Sequence, residues 1–132
     1  LKDKEYYINT NQTFAFASNT VTASYGTATA KAIADVTTDG VVTRGLKYTH
    51  KETINAQAAG LLQDTDWMVI RAAEGGTAVP GATTTWRAAV RTKANAMCVQ
   101  IDAASDVDAL AALYVYNDAE TPVRPLGELP TV

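Results

Sequence analysis

The chain has 132 residues, which suits one domain with at most a small appendage and is long enough to bury a core without a disulfide or a metal. Eleven basic and fourteen acidic residues give a net charge of −3, and their scattered positions exclude a nucleic-acid-binding stripe. The single cysteine excludes an intrachain disulfide, and no apolar run is long enough to span a bilayer, so we expect no membrane contact.

Residues 1–47 predict a small antiparallel β unit, the first part of an α+β fold. Apolar and polar residues alternate around Tyr7 and again over residues 14–17, and the polar segment 9–12 predicts a turn between these two runs. Residues 28–34 fit either a helix or a strand. Asp39-Gly40 lies between two further β-prone runs and predicts a hairpin, because these residue types favour a two-residue hairpin turn.

The apolar residues take up a helical period after Thr49, and we predict a helical module over residues 48–117. Thr49 and Glu52 have the spacing of a capping box, so the first helix is expected to begin there and to end near Asp64. The apolar face of this helix consists of Ile54, Ala58, Leu61 and Leu62. The next apolar run, residues 67–70, is predicted to be an extended crossing segment.

A loop at 75–81, marked by glycines and a proline, separates this helix from a second one that is expected to begin at residue 83 or 84. The two form an α-helical hairpin. The core stripe of the second helix consists of Trp86, Val90, Ala94, Met97 and Ile101. Ser105 and Asp108 have capping-box spacing and predict a short third helix. Residues 118–132 contain three prolines and predict an extended tail that lies on a neighbour or stays mobile.

Three arginines of the helical module are candidate interaction residues. They are Arg71, Arg87 and Arg91, and together they would suit an anion site. The same segment holds an equal number of acids, namely Asp64, Asp66 and Glu74. We therefore favour ion pairs that lock the crossing of the helices or contact other subunits.

Trp67 and Trp86 are candidate structural residues, because each lies where an apolar stripe begins. Stacking on sugar rings is the alternative, and we favour anchoring of the helical hairpin in the core. Asp64 and Asp66 lack the additional oxygen ligands and the turn glycine of a calcium loop. The sequence therefore predicts no metal and no cofactor.

The one histidine, His50, and the one cysteine, Cys98, are the residues from which a nucleophilic site would be built. They lie on different predicted helices, and Glu52 is the one acid near His50. Cys98 stands in an Ala/Met/Val stretch, where a small buried side chain is expected. We predict no catalytic residues and no enzyme.

A spaced series of short motifs runs through residues 61–113. They are Asp64-Thr65-Asp66-Trp67, Val69-Ile70-Arg71, Glu74-Gly75, Val79-Pro80, Trp86-Arg87 and Val90-Arg91. This arrangement resembles a module of tail-fibre, tail-assembly-chaperone-like and other virion proteins of tailed bacteriophages, particularly those of marine cyanobacteria. The family often has Tyr at the position of Trp86 and Asp at the position of Thr92. No catalytic residues of the family exist to be carried over.

The resemblance implies a non-enzymatic structural component of a phage tail, baseplate or fibre attachment, assembled in the host cytoplasm and resident in the virion. Its expected partners are other phage structural proteins and further copies of itself; a transient assembly chaperone is the alternative. A charged fraction of only 19% favours a chain that lies against other subunits. The edge strand of the β unit and the tail are expected to make these contacts, the tail through Val123, Leu126, Leu129 and Val132.

Overall fold

The computed structural model describes residues 1–132 and has short strands followed by helices. The strands are β1 (Tyr7–Ile8), β2 (Thr13–Ala17), β3 (Thr20–Ser24), β4 (Thr29–Ala30), β5 (Val36–Thr38) and β6 (Val41–Thr43). The helices are α1 (Leu46–Ala73), α2 (Gly81–Ala103) and α3 (Val107–Ala112). The predicted α+β fold is confirmed, with antiparallel strands before a helical hairpin and a short third helix.

The strands form three separate two-stranded antiparallel sheets, in which β1 pairs with β4, β2 with β3 and β5 with β6. The predicted hairpin at Asp39-Gly40 is confirmed, and both turn residues have positive φ, 51° and 77°. The predicted turn at 9–12 does not pair β1 with β2, because β1 pairs with β4. Ser18 and Asn19, with φ of 50° and 57°, instead form the tight turn that joins β2 to β3.

α1 begins at Leu46, before Thr49, and the predicted capping box does not form. The N-cap is Gly45, where a Cβ atom would lie 2.4 Å from the backbone of Ala34, so the close approach requires glycine. The N–H groups of Leu46 and Lys47 donate to the carbonyl oxygens of residues 32 and 33, each at 3.0 Å. The preceding backbone thus satisfies two of the free N–H groups that a side-chain cap would otherwise help to satisfy.

α1 continues through Asp64 to Ala73, so the predicted end near Asp64 and the predicted extended segment at 67–70 are both wrong. Asp and Thr cost a helix interior only a few tenths of a kcal/mol each, which packing of a long helix easily offsets. The helix ends at glycines instead. Gly75 has φ of +85°, and the N–H of Gly76 donates to the carbonyl of Arg71 at 2.9 Å.

The starts of the two later helices also differ slightly from the predictions. α2 begins at Gly81, directly after Pro80. The N-cap of α3 is Asp106 and not Ser105, and its carboxylate accepts a hydrogen bond from the N–H of Ala109 at 2.7 Å. Asp108 accepts a hydrogen bond from the Tyr7 hydroxyl, so it joins α3 to the first strand.

One apolar cluster includes residues from the β unit, the three helices and the tail. Its members are Tyr6, Ile54, Ala58, Val90, Ala94, Met97, Ile101, Ala104, Val107, Leu110 and Leu126. The predicted stripe of α2 is confirmed at its four positions from Val90 to Ile101, which are all buried. This stripe is therefore the centre of the core.

The tail was predicted to lie on a neighbour or to stay mobile, but its second half folds back onto its own helices. Leu126 is completely buried in the core cluster, and Leu129 packs against that cluster half-buried. The carbonyl of Pro130 accepts a hydrogen bond from the indole N–H of Trp86. The partner contact predicted for Leu126 is therefore wrong, because its side chain is completely buried within the chain. Leu129 keeps part of its surface, and Val123 is 57% exposed.

Leu126→Ala should lower the free energy of unfolding by about 2–5 kcal/mol, because it removes a completely buried side chain and leaves a cavity. Val132→Ala is the matched control at the fully exposed end of the same tail, and it should change stability by less than about 0.5 kcal/mol. Urea unfolding of both variants measures the difference. A Leu126→Ala protein as stable as the control would show that the tail is not part of the core.

Candidate functional site

Arg87 holds α1 and α2 together where they cross. Its Nη1 atom lies 2.8 Å from the carbonyl oxygen of Leu62 and 2.6 Å from Oγ1 of Thr65. Its Nη2 atom lies 2.8 Å from a carboxylate oxygen of Asp66, and its side chain is only 12% exposed. The predicted ion pair with a local acid is confirmed for this arginine, and its three acceptors all lie on about one turn of α1.

The ion pairs predicted for Arg71 and Arg91 do not form. The guanidinium of Arg71 lies 4.8 Å from the ring centroid of Trp67, and its buried Nε atom has no hydrogen-bond partner. This contact follows from the continuation of α1, since residues four apart are neighbours on a helix. Arg91 is exposed and has no carboxylate within ion-pair distance. The three arginines therefore have three different environments.

The two tryptophans also differ, and the predicted core role is wrong for one of them. Trp86 is half-buried against the core cluster, and its indole N–H donates to the carbonyl of Pro130 at 3.2 Å. Trp67 is 53% exposed, and Ile70, three residues later on the same helix, is 58% exposed. Because α1 remains helical here, Trp67 and Ile70 share an apolar surface that faces solvent.

A buried histidine joins the first residues of the chain to α1 and to the segment after α3. His50 is 7% exposed, and its Nε2 atom lies 3.2 Å from the carboxylate of Glu5. Its Nδ1 atom lies 2.7 Å from the hydroxyl of Tyr114. A carboxylate can only accept hydrogen bonds, so Nε2 of the neutral imidazole carries the proton and donates to Glu5. The unprotonated Nδ1 atom then accepts from the hydroxyl of Tyr114. Sequence reasoning missed this cluster, because its members are far apart in the chain.

Burial sets the protonation state of this cluster. It lowers the pKa of His50 below the ordinary value, although the Glu5 carboxylate acts in the opposite direction. It also raises the pKa of Tyr114 and raises the pKa of Tyr6, which packs beside His50, to about 12. At neutral pH all three side chains are therefore uncharged.

The geometry of the histidine cluster suits a structural network. The hydroxyl of Tyr114 and the carboxylate of Glu5 occupy both nitrogens of the His50 ring. The adjoining cleft, which Arg124 also lines, has a volume of about 150 Å³. Small-molecule sites usually span roughly 300–1,000 Å³. The cleft is therefore too small for most substrates.

Cys98 lies on α2 and does not pair with His50. The nearest polar partner of its thiol is the side-chain oxygen of Asn55, at 3.8 Å. Burial raises the pKa of the thiol, whereas a nucleophilic cysteine needs a lowered pKa. No three His, Cys, Asp or Glu side chains converge as metal ligands would.

The chain exposes much more surface than a compact protein of its size. Only 13 of 132 residues are buried, and the accessible surface is 8911 Å². A compact monomer of the same mass exposes roughly 6,700 Å², about 2,200 Å² less. The exposed large apolar residues of the β unit are Leu1, Ile8, Phe14, Phe16, Val21, Val36, Val41 and Val42. The β unit is therefore a candidate interaction surface.

Comparison with known proteins does not assign the chain to a family. No protein-family model matches it, and neither a curated protein nor a solved structure is detectably similar. The resemblance of residues 61–113 to phage virion proteins stays a prediction from the motif pattern. Among the helices, none combines the length and the apolar character needed to cross a membrane.

Trp86→Ala should lower the free energy of unfolding by about 3 kcal/mol, since it removes a large ring from the margin of the core. Trp86→Phe keeps a ring but loses the hydrogen bond to Pro130, at a cost of about 1 kcal/mol from that bond. Trp67→Ala is the exposed counterpart and should cost less than about 1 kcal/mol. Thermal unfolding ranks the three variants, and equal losses for the two alanine variants would contradict the assigned environments.

Acidification should destabilise the protein through His50. The unfolded chain takes up a proton as pH falls through about 6.5, whereas folded His50 takes it up at lower pH. The contribution of His50 to stability is therefore complete above that pH and is lost progressively below it. The His50→Gln side chain retains hydrogen-bonding atoms but takes up no proton. The free energy of unfolding of this variant should therefore depend less on pH than that of the wild type between about 7 and about 5.5. Equal slopes for the variant and the wild type would show that His50 is not held neutral by burial.

Proposed function

We propose that the chain is a non-enzymatic structural component of a tailed phage particle, located in the tail, baseplate or fibre attachment. The observation that carries this proposal is the surplus of about 2,200 Å² of accessible surface over a compact monomer. Exposed apolar area is unfavourable by about 25 cal/mol per Å², so the chain gains stability when other subunits cover it. The motif series in residues 61–113 supplies the link to phage particles.

The proposed partners are other phage structural proteins and further copies of the chain. The residues proposed to interact between subunits are exposed. They are Trp67, Ile70 and Val123, together with the exposed apolar residues of the β unit. Arg87 and Trp86 act within the subunit, since both bind groups of their own chain. The proposal places assembly in the host cytoplasm and the finished subunit in the virion, without contact to nucleic acid.

The chemistry of the titratable groups supports a non-enzymatic role. Glu5 and Tyr114 occupy both nitrogens of the His50 imidazole, and the cleft that His50 lines has a volume of only about 150 Å³. The raised pKa of the Cys98 thiol makes it a poorer nucleophile at neutral pH. These groups are suited to holding segments of the fold together.

A transient tail-fibre or tail assembly chaperone is the second candidate. The exposed Trp67 and Ile70 near the end of the helical hairpin favour it. A rigid helix end with an aromatic and an aliphatic side chain is suited to holding an apolar segment of another protein. Arg71, stacked on the Trp67 ring, would keep the indole oriented for such a contact.

Mass spectrometry of purified particles of the encoding phage separates the two roles. Trypsin releases residues 32–44 and 72–87 as convenient peptides, because each range follows a Lys or Arg and ends in Arg. A structural subunit should yield both peptides from mature particles in constant ratio to other tail proteins. The lysate of infected cells, sampled before particle purification, is the control.

Peptides that occur in the lysate but disappear from mature particles would overturn the structural role and favour the chaperone. Peptides that stay with particles through a density gradient and through washing at high salt would support the structural role. Salt removes proteins that are bound to the particle surface by charge alone, since it screens such contacts.

A further inference from the structure

The hairpin of β2 and β3 has one apolar face. Phe14 lies opposite Ala23 and Phe16 lies opposite Val21 in the strand register. Residues that are directly opposite each other in an antiparallel pair point to the same side, and side chains two residues apart along a strand do so too. These four side chains, called here the phenylalanine face, therefore lie together. The other side carries mainly threonine and alanine.

The chain does not cover its own phenylalanine face. Phe14, Phe16 and Val21 are 68%, 72% and 64% exposed, and all ten residues of the two strands are exposed. A two-stranded hairpin on its own is at best marginally stable in water. The tight turn at Ser18 and Asn19 fixes the register, so a partner that covers the apolar face stabilises one defined pairing of the strands.

We propose that the phenylalanine face of one copy packs against the same face of a second copy of this chain. This inference rests on the proposed function as a subunit and names the partner of that surface. The absence of charge supports a second copy over a charged partner. No charged residue occurs from Tyr6 to Ala30, so two copies meet here without repulsion, and a charged partner would find nothing to complement.

The edges of the hairpin support the same partner. Proteins that avoid association through strand edges commonly place lysine or proline there. Neither residue type occurs in β2 or β3, although each strand leaves one edge free in a two-stranded sheet. Nothing in the hairpin therefore prevents two copies from approaching closely.

The phenylalanine face supplies the apolar centre of a contact between copies and not the whole of it. A standard interface buries about 800 Å² on each partner, which is more than four side chains provide, so neighbouring exposed residues of the hairpin contribute the remainder. Two phenylalanine rings at the centre would provide the aromatic anchors that interfaces favour.

Sedimentation equilibrium of the full chain tests the proposal. The wild type should associate as its concentration rises, and Phe14→Ser/Phe16→Ser should raise the dissociation constant by about 100-fold or more. Val21→Thr, a milder change on the same face, should raise it less. Ala15→Ser/Thr22→Ser is the control on the opposite face and should leave it within about two-fold. Thermal unfolding of the helices should be equal in the monomeric forms of all four proteins, because these side chains lie outside the core cluster.

Each result decides the proposal. A wild type that remains monomeric up to about 0.1 mM would overturn it, even if a different protein then bound the face. Association that survives in both phenylalanine-face variants would also overturn it and would assign the contact between copies to another surface. A monomeric wild type would also remove further copies of the chain from the proposed partners. The structural role itself would stand, because that depends on the presence of the chain in mature particles. Loss of association in the phenylalanine-face variants, with the control unchanged, supports the proposed contact between phenylalanine faces.

Discussion

One face of α2 carries the packing of the whole chain. Val90, Met97 and Ile101 are completely buried there, and Ala94 between them lets the facing elements approach closely. The remaining members of the cluster come from all sides: Tyr6 from the N-terminal segment, Ile54 and Ala58 from α1, Ala104 from the end of α2, Val107 and Leu110 from α3, and Leu126 from the tail. Since close-packed interiors respond to the loss of even one methylene, a change of volume on this face affects every segment that contributes to the cluster. The hairpins, in contrast, can vary without disturbing it.

Polar contacts at the margin of this core decide how the segments are joined. Arg87 binds α1, and Arg124 binds Glu128 at 2.9 Å while its guanidinium lies 5.3 Å from the ring of Tyr114. His50 connects Tyr114 to Glu5 at the opposite end of the sequence. Hydrogen bonds in which one partner is charged, such as those of Arg87 and Arg124, are roughly twice as strong as neutral ones. The apolar cluster therefore supplies most of the cohesion, and these side chains select one arrangement of the segments around it.

The parts of the fold that local spacing determines could be predicted, and those that depend on distant contacts could not. The Asp39-Gly40 turn and the stripe of α2 follow from residue type and period alone. Residue type alone places the end of α1 too early, because Asp64-Thr65-Asp66 is typical of a helix end. In the structure Arg87 from the next helix binds Thr65 and Asp66, and α1 continues through this turn. The burial of Leu126 and the partners of His50 join residues far apart in sequence, and no periodic pattern carries that information.

The distribution of charge divides the chain into two parts with different requirements. The helical part carries most of the charged residues and supplies most of the core cluster, which is what a folded domain needs. The segment from Tyr6 to Ala30 has no charged residue, and after Tyr6 and Tyr7 almost all of it is exposed. Tight turns with positive φ set the register of two hairpins without help from a core. Strands whose register is fixed by their turns lose less conformational entropy when they are covered than an unstructured segment would, which favours their use in an assembly.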